Sequence, residues 1–200
     1  SFYINERINR ISMIQPLNIS TFTQQRTSFG AFTPPKKPDD YNLLQDFTLK
    51  TNANATWTAA NDSVSLSATE GSSCTVKFVK YNEDLVNNGI TITATSKDGK
   101  DTKITRIIKL NRISVNFNTS DSVTTGTTVQ LSADNKPGSI TAKYFVTKDG
   151  SEQELDSSSF VPTDAGTYNI KAKLYDNDNN NNYIGETASQ TLTVTKAVQG

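Results

Sequence analysis

The stretch Asp164-Ala165-Gly166-Thr167-Tyr168-Asn169-Ile170-Lys171-Ala172-Lys173-Leu174 decides the fold. Tyr168, Ile170, Ala172 and Leu174 recur at every second position, the period of a strand with one face buried and the other in water. Upstream, Val129 with Leu131 repeats the pattern, as does the run Ile140, Ala142, Tyr144 and Val146, which ends at Asp149-Gly150. Downstream, Leu192 and Val194 close it. Short alternating runs at this spacing, with turn residues between them and no sustained helical period, predict an all-β sandwich over residues 112–200.

Residues 45–111 read in the same style. Phe47-Thr48-Leu49, Thr56-Trp57-Thr58 and Ser63-Val64-Ser65-Leu66 are separate short strands divided by Asn- and Asp-rich turns. Val76 and Phe78 alternate with polar neighbours, as do Ile90, Ile92 and Ala94. Lys97-Asp98-Gly99-Lys100 is a hairpin signal, because Asp-Gly tolerates the positive φ of a tight turn. Asn87-Asn88-Gly89 reads as another turn of that kind. Ile104 to Leu110 closes the unit, with imperfect alternation at Ile107-Ile108. Only Asn111-Arg112 separates this unit from the next, so a semi-rigid rod is expected.

Residues 1–44 carry no strand pattern. Ile8, Ile11 and Ile14 allow a short helix up to Pro16, and Thr33-Pro34-Pro35-Lys36-Lys37-Pro38 is an extended connector. A segment without a core gains order by packing on something else, either a partner or its own domain. Its large side chains Phe2, Tyr3, Met13, Phe22, Phe29 and Phe32, with Arg7, Arg10 and Arg26, are of the types favoured as interface anchors, and this arm is the candidate partner-binding site.

Composition excludes several function classes. The chain of 200 residues is 34% hydrophobic, which suits thin sandwiches rather than a large α/β core. Twenty Lys and Arg balance twenty Asp and Glu without a basic stripe, so nucleic-acid binding is disfavoured. No apolar run is long enough for a membrane span, and no secretory leader is visible at the start. Cys74 is the lone cysteine, so no intrachain disulfide forms.

The stretch Asp164 to Ile170 resembles the E–F corner of an immunoglobulin-like domain. That resemblance implies a turn made by Asp164 and Gly166 and a Tyr168 hydroxyl bonded back to upstream backbone, with Ile170 where an antibody domain has its second Cys. Thr191-Leu192-Thr193-Val194-Thr195 is similar to the last strand of bacterial Ig-like repeats. The first unit resembles BACON-type sandwiches in Asn52 to Trp57, Leu66 to Gly71 and Ile90 to Ala94. The expected architecture is therefore two tandem immunoglobulin-like β-sandwiches behind an extended N-terminal arm.

Catalytic chemistry is sparse. The chain has no His, which removes the commonest general base and zinc ligand. Cys74 beside a strand reads as a buried or half-buried structural thiol. The pairs Glu83-Asp84 and Asp39-Asp40 read as solvated turn residues. Asp176-Asn177-Asp178-Asn179-Asn180 opens like a calcium loop, but Asn181 stands where the turn Gly belongs and Glu186 falls one place short; the alternative is a floppy polar loop. Trp57 is a core residue or, alternatively, a sugar-stacking one. The sequons at Asn18, Asn54, Asn61 and Asn118 are no more than this composition yields by chance. No enzyme activity, cofactor or metal is expected.

The resemblance implies a phage virion component: an auxiliary or decoration protein bound to the major capsid protein or another shell protein through residues 1–44, displayed on the capsid surface. The alternative is a bacterial cell-surface or secreted Ig-like module, with host surface glycans as partners of the Ig-like domains.

Overall fold

The computed structural model describes the backbone of Ser20–Thr21 and all of residues 40–200. The first-half elements are β1 (Ser20–Thr21), β2 (Asp40–Tyr41), β3 (Phe47–Ala59), β4 (Val64–Leu66), β5 (Glu70–Phe78), the short helix α1 (Glu83–Asn87), β6 (Ile90–Ser96) and β7 (Lys103–Leu110). Packing divides the chain into two units. Gln45–Lys77 and Ile90–Ile108 form the first together with β1; Tyr41–Leu44, Phe78–Gly89 and Lys109–Gly200 form the second.

One sheet runs in the order β2-β7-β6-β3-β5-β4, with β1 also on β3. The sequence suggested separate strands at Phe47 and Thr56, but the chain stays extended as the single strand β3. Its register against β5 shifts between Lys50 and Ala55. The buried Thr51 hydroxyl holds this bulge by donating to Ala53 O at 2.6 Å and Ser72 O at 3.3 Å. The Asn residues therefore mark a bulge, which bends a strand without ending it. Inward residues Leu49, Trp57, Cys74, Val76, Ile92, Ala94 and Ile108 are all buried. Ile107 and Ile108 alternate after all: Ile107 points outward and Ile108 inward.

The 97–102 connection is a hairpin, tightened by the Asp98 carboxylate, which accepts from the Ser96 hydroxyl at 2.7 Å and from Lys100 N–H at 3.0 Å. Asn87-Asn88-Gly89, by contrast, is a helix stop rather than a hairpin. The Asn82 side chain caps α1 by accepting from Leu85 N–H, and Gly89, at φ 76°, donates its N–H to Asp84 O. Positive φ at that place is the usual glycine helix terminus. Five residues with one buried Leu are too few to register as a helical period.

The second unit adds β8 (Ser114–Phe117), β9 (Ser122–Thr124), β10 (Val129–Asp134), β11 (Ile140–Lys148), β12 (Ser151–Glu154), β13 (Ser159–Phe160), β14 (Gly166–Asp176), β15 (Asn182–Glu186) and β16 (Gln190–Thr195). A sheet β13-β10-β8 faces a sheet β12-β11-β14-β16-β9, with β15 also on β14. Every pairing is antiparallel except β9 with β16. This two-layer arrangement is an immunoglobulin-like sandwich. The Tyr168 hydroxyl donates to Asp164 O at 2.8 Å, making the corner that the resemblance implied. Ile170 behind it is fully buried, alongside Val129, Ile140, Leu174 and Leu192. The fold is all-β, in tandem immunoglobulin-like sandwiches.

Candidate functional site

The arm residues Phe2, Tyr3, Arg7, Arg10, Met13, Phe22, Arg26, Phe29 and Phe32 lie outside the described residues, as do Pro34 to Pro38. Of the arm, Ser20 and Thr21 pair with Lys50 and Leu49 of β3, so at these two positions it folds back on its own chain.

Trp57 is 1% exposed and its indole N–H donates to Gly71 O at 2.9 Å, so the ring is spent on the core and is closed to a sugar. Cys74 is likewise buried, with its thiol on Ala68 O. Asp176 to Asn182 forms a tight hairpin turn between β14 and β15 rather than a floppy loop. Asp176 accepts from Asp178 N–H through its side chain and from Asn179 N–H through its carbonyl, while Asn180 and Asn181 adopt positive φ. Asn is among the few residues that enter that region readily, which accounts for its use here. Among the described residues no group of His, Cys, Asp and Glu is gathered as a metal-ligand set, and no helix is long and apolar enough to cross a membrane.

Glu83 is not the solvated turn residue its sequence suggests. Its carboxylate pairs with the Arg112 guanidinium and accepts from Ala188 N–H and the Tyr81 hydroxyl. The Tyr81 hydroxyl also accepts from Ile113 N–H at 2.9 Å. Burial, reinforced by the Glu83 charge, pushes the Tyr81 phenol up to about 12. A phenol so reluctant to ionise is no acid or base near neutrality, and the cluster acts as a brace. Tyr81 N–H donates to Ile184 O at 2.7 Å, and an isolated bridge joins Tyr81 to Gly185. Residues 81 and 185 are too distant in sequence for this pairing to be legible. A Gly inside a strand was the available signal, because it marks close backbone approach.

The outward side of β11, β12, β14 and β15 carries a cluster of charged and aromatic side chains. Lys171 ion-pairs with Glu152 at 2.8 Å and Glu186 at 3.1 Å, Lys173 with Glu152 at 3.2 Å, and Lys143 with Glu154 at 3.8 Å. Hydrogen bonds from Lys171 and Lys173 hold the Glu152 carboxyl below the usual carboxylate range, and the bond to Glu152 raises Lys171. The Lys173 ammonium lies 3.9 Å from the Phe145 ring centroid, and Lys143 lies 5.0 Å from that of Tyr175. Tyr175 and Tyr183 meet edge to face at 5.8 Å, and the Tyr183 hydroxyl donates to Glu186. Burial and the Glu186 charge raise the Tyr183 phenol. These groups can present aromatic faces and paired donors and acceptors, and they contain no nucleophile with an adjacent base.

No family model and no curated protein matches the chain. Solved structures similar to it include three N-terminal domains of the highly immunogenic outer capsid protein (Hoc) of bacteriophage RB49. That likeness has 13% identity and a TM-score of 0.30, over 92% of this chain and 71% of that one. A Corynebacterium diphtheriae protein described as membrane-anchored is 14% identical, with a TM-score of 0.37, over 91% of this chain and 54% of that one. Fibronectin(III)-like modules of Clostridium thermocellum CbhA are 10% identical, with a TM-score of 0.28, over 90% of this chain and 94% of that one.

Proposed function

We propose that this chain is a non-enzymatic structural protein of a phage virion. In this reading it is an auxiliary or decoration protein, bound to the capsid through its N-terminal arm and presenting its Ig-like domains on the surface. The observation that carries the reading is a contrast within the chain. In the sandwiches three of the polar aromatic groups are consumed internally: Trp57 on Gly71, Tyr81 on Ile113, Tyr168 on Asp164. The arm concentrates aromatic and arginine residues, the types favoured as interface anchors, in a stretch with no strand pattern. The test is removal of residues 1–39, which spares β2. The truncated protein is expected to stay soluble and folded but to stop joining capsids; full decoration by it would sink the tether.

A second reading, a bacterial surface or secreted binding module, is favoured by the exposed aromatic and charged face of β14 and β15. It predicts binding that survives loss of the arm.

A further inference from the structure

Tyr183 is the one exposed aromatic side chain among the described residues, at 53%. An exposed ring standing edge to face with its cross-strand partner, the half-buried Tyr175, forms an aromatic corner with one ring open to solvent. We propose that this corner, with Glu186, Lys171 and Lys173 beside it, is a binding site for an uncharged saccharide.

The charge pattern selects that ligand class. Each lysine of the face is already paired with a glutamate of the same face, so these three lysines and three glutamates cancel, and the adjoining turn adds the carboxylates of Asp176 and Asp178. An anionic ligand would have to displace Glu152 or Glu186 from Lys171 and would meet the turn carboxylates as well, and a cationic one laid on the strands would have to displace the lysines. A neutral polyhydroxylated ring breaks no pair. Its hydroxyls donate to the carboxylates and accept from the ammonium groups, while its apolar C–H face lies on Tyr183. The adjoining turn adds to the rim. Positive φ explains Asn180 and Asn181, but not Asn179 and Asn182, whose exposed amides offer a donor and an acceptor each.

The proposal deepens the reading of the Ig-like domains as outward-presented modules and rests on it. Its test does not involve the arm, so its failure leaves the capsid tether standing. The full-length chain, labelled with ¹⁵N, is titrated with cellotetraose, maltotetraose, chitotriose and N-acetyllactosamine, with an oligogalacturonate as the anionic comparison. The expected result is a saturable shift with at least one neutral sugar, confined to Lys171, Lys173, Tyr175 and residues 179–186. Tyr183→Ala is expected to weaken it about tenfold or more, and Tyr183→Phe to keep most of it, since the ring is retained. The proposal is overturned if no neutral sugar gives a saturable shift, if only the anionic oligomer binds, or if a correctly folded Tyr183→Ala chain binds as before.

Discussion

Replacing Gly185 by alanine places a methyl group where the backbone of Tyr81 already stands. A Cβ built on Gly185 lies 1.8 Å from Tyr81 O and 2.7 Å from its carbonyl carbon, both rigid main-chain atoms. Gly185 also holds φ at 141°, a conformation that side-chain-bearing residues rarely adopt. Overpacking of this kind costs about 1–3 kcal/mol, and forcing a non-glycine residue into such backbone costs about 1–3 kcal/mol more. Relief requires Tyr81 to move away, which gives up its 2.7 Å bond to Ile184 O, worth about 0.5–1.5 kcal/mol. The expected destabilisation is therefore about 2.5–7.5 kcal/mol, a large part of the stability of a domain this size. Both residues belong to the second unit, so two probes are needed, because a two-unit chain need not unfold in one step. Trp57 fluorescence reports the first unit, and far-UV circular dichroism during urea unfolding reports both. Gly126→Ala is the control. Gly126 also has positive φ, 83°, but nothing lies within 4 Å of its Cβ, so it should lose only about 1–2 kcal/mol. If Gly185→Ala costs no more than Gly126→Ala, the Tyr81 contact is not made and the reasoning fails.

Tyr168→Phe removes the corner bond to Asp164 O and should cost about 0.5–1.5 kcal/mol in urea unfolding; an unchanged midpoint would show the hydroxyl to be idle. Raising the pH should weaken the fold through Tyr81. Its phenol ionises near 10 when unfolded and about 12 when folded, so this stabilisation is complete below pH 10 and drains away between roughly 10 and 12. After allowance for solvent screening the loss is about 1–2 kcal/mol, and a Tyr81→Phe chain should lack that step. Cys74, 1% exposed, should resist an aromatic disulfide reagent until the chain is unfolded; rapid labelling of the native protein would contradict its burial.

Alternation made the cores readable. Ile170, Ala172 and Leu174 point inward as their spacing demands, and the corner at Asp164 to Tyr168 is local enough to be seen in seven consecutive residues. Legibility failed wherever the cause was distant or small. Thr51 reaches across to Ser72, so the bulge in β3 passes for a turn. The α1 helix depends on one cap at Asn82 and one buried Leu85. Glu83, Arg112 and Ala188 meet only because the fold brings α1, the 111–113 connection and the 187–189 loop together. The outward face of β14 lies between these cases. Lys171, Lys173 and Tyr175 are the other half of the alternation, so their side of the sheet could be foreseen, but their partners on β12 and β15 could not.

The outer faces of the two units show why one of them carries a ligand hypothesis and the other does not. In the first unit, register aligns Thr58 with Thr93 and Thr93 with Thr105, and Thr56 with Thr95. Threonine is what β-propensity alone would place on a solvated strand, since its branched Cβ packs against cross-strand neighbours and its hydroxyl meets water. That array is fully explained by the sheet it lies on. The face of the second unit is not. Beyond the cross-strand pairs Tyr175–Tyr183 and Lys173–Glu186, which the sheet itself accounts for, it carries lysines lying over aromatic rings, a carboxylate shared between two lysines, and a tyrosine left 53% exposed beside a run of asparagines. Exposed lysines ordinarily extend into water to keep side-chain entropy. Here Lys171 and Lys173 are tied down by ion pairs and rings, so the surface is already ordered before any ligand arrives. An ordered surface forfeits less entropy on binding than a mobile one. That difference, rather than the presence of an aromatic residue, is the physical reason to look for a partner on β14 and β15.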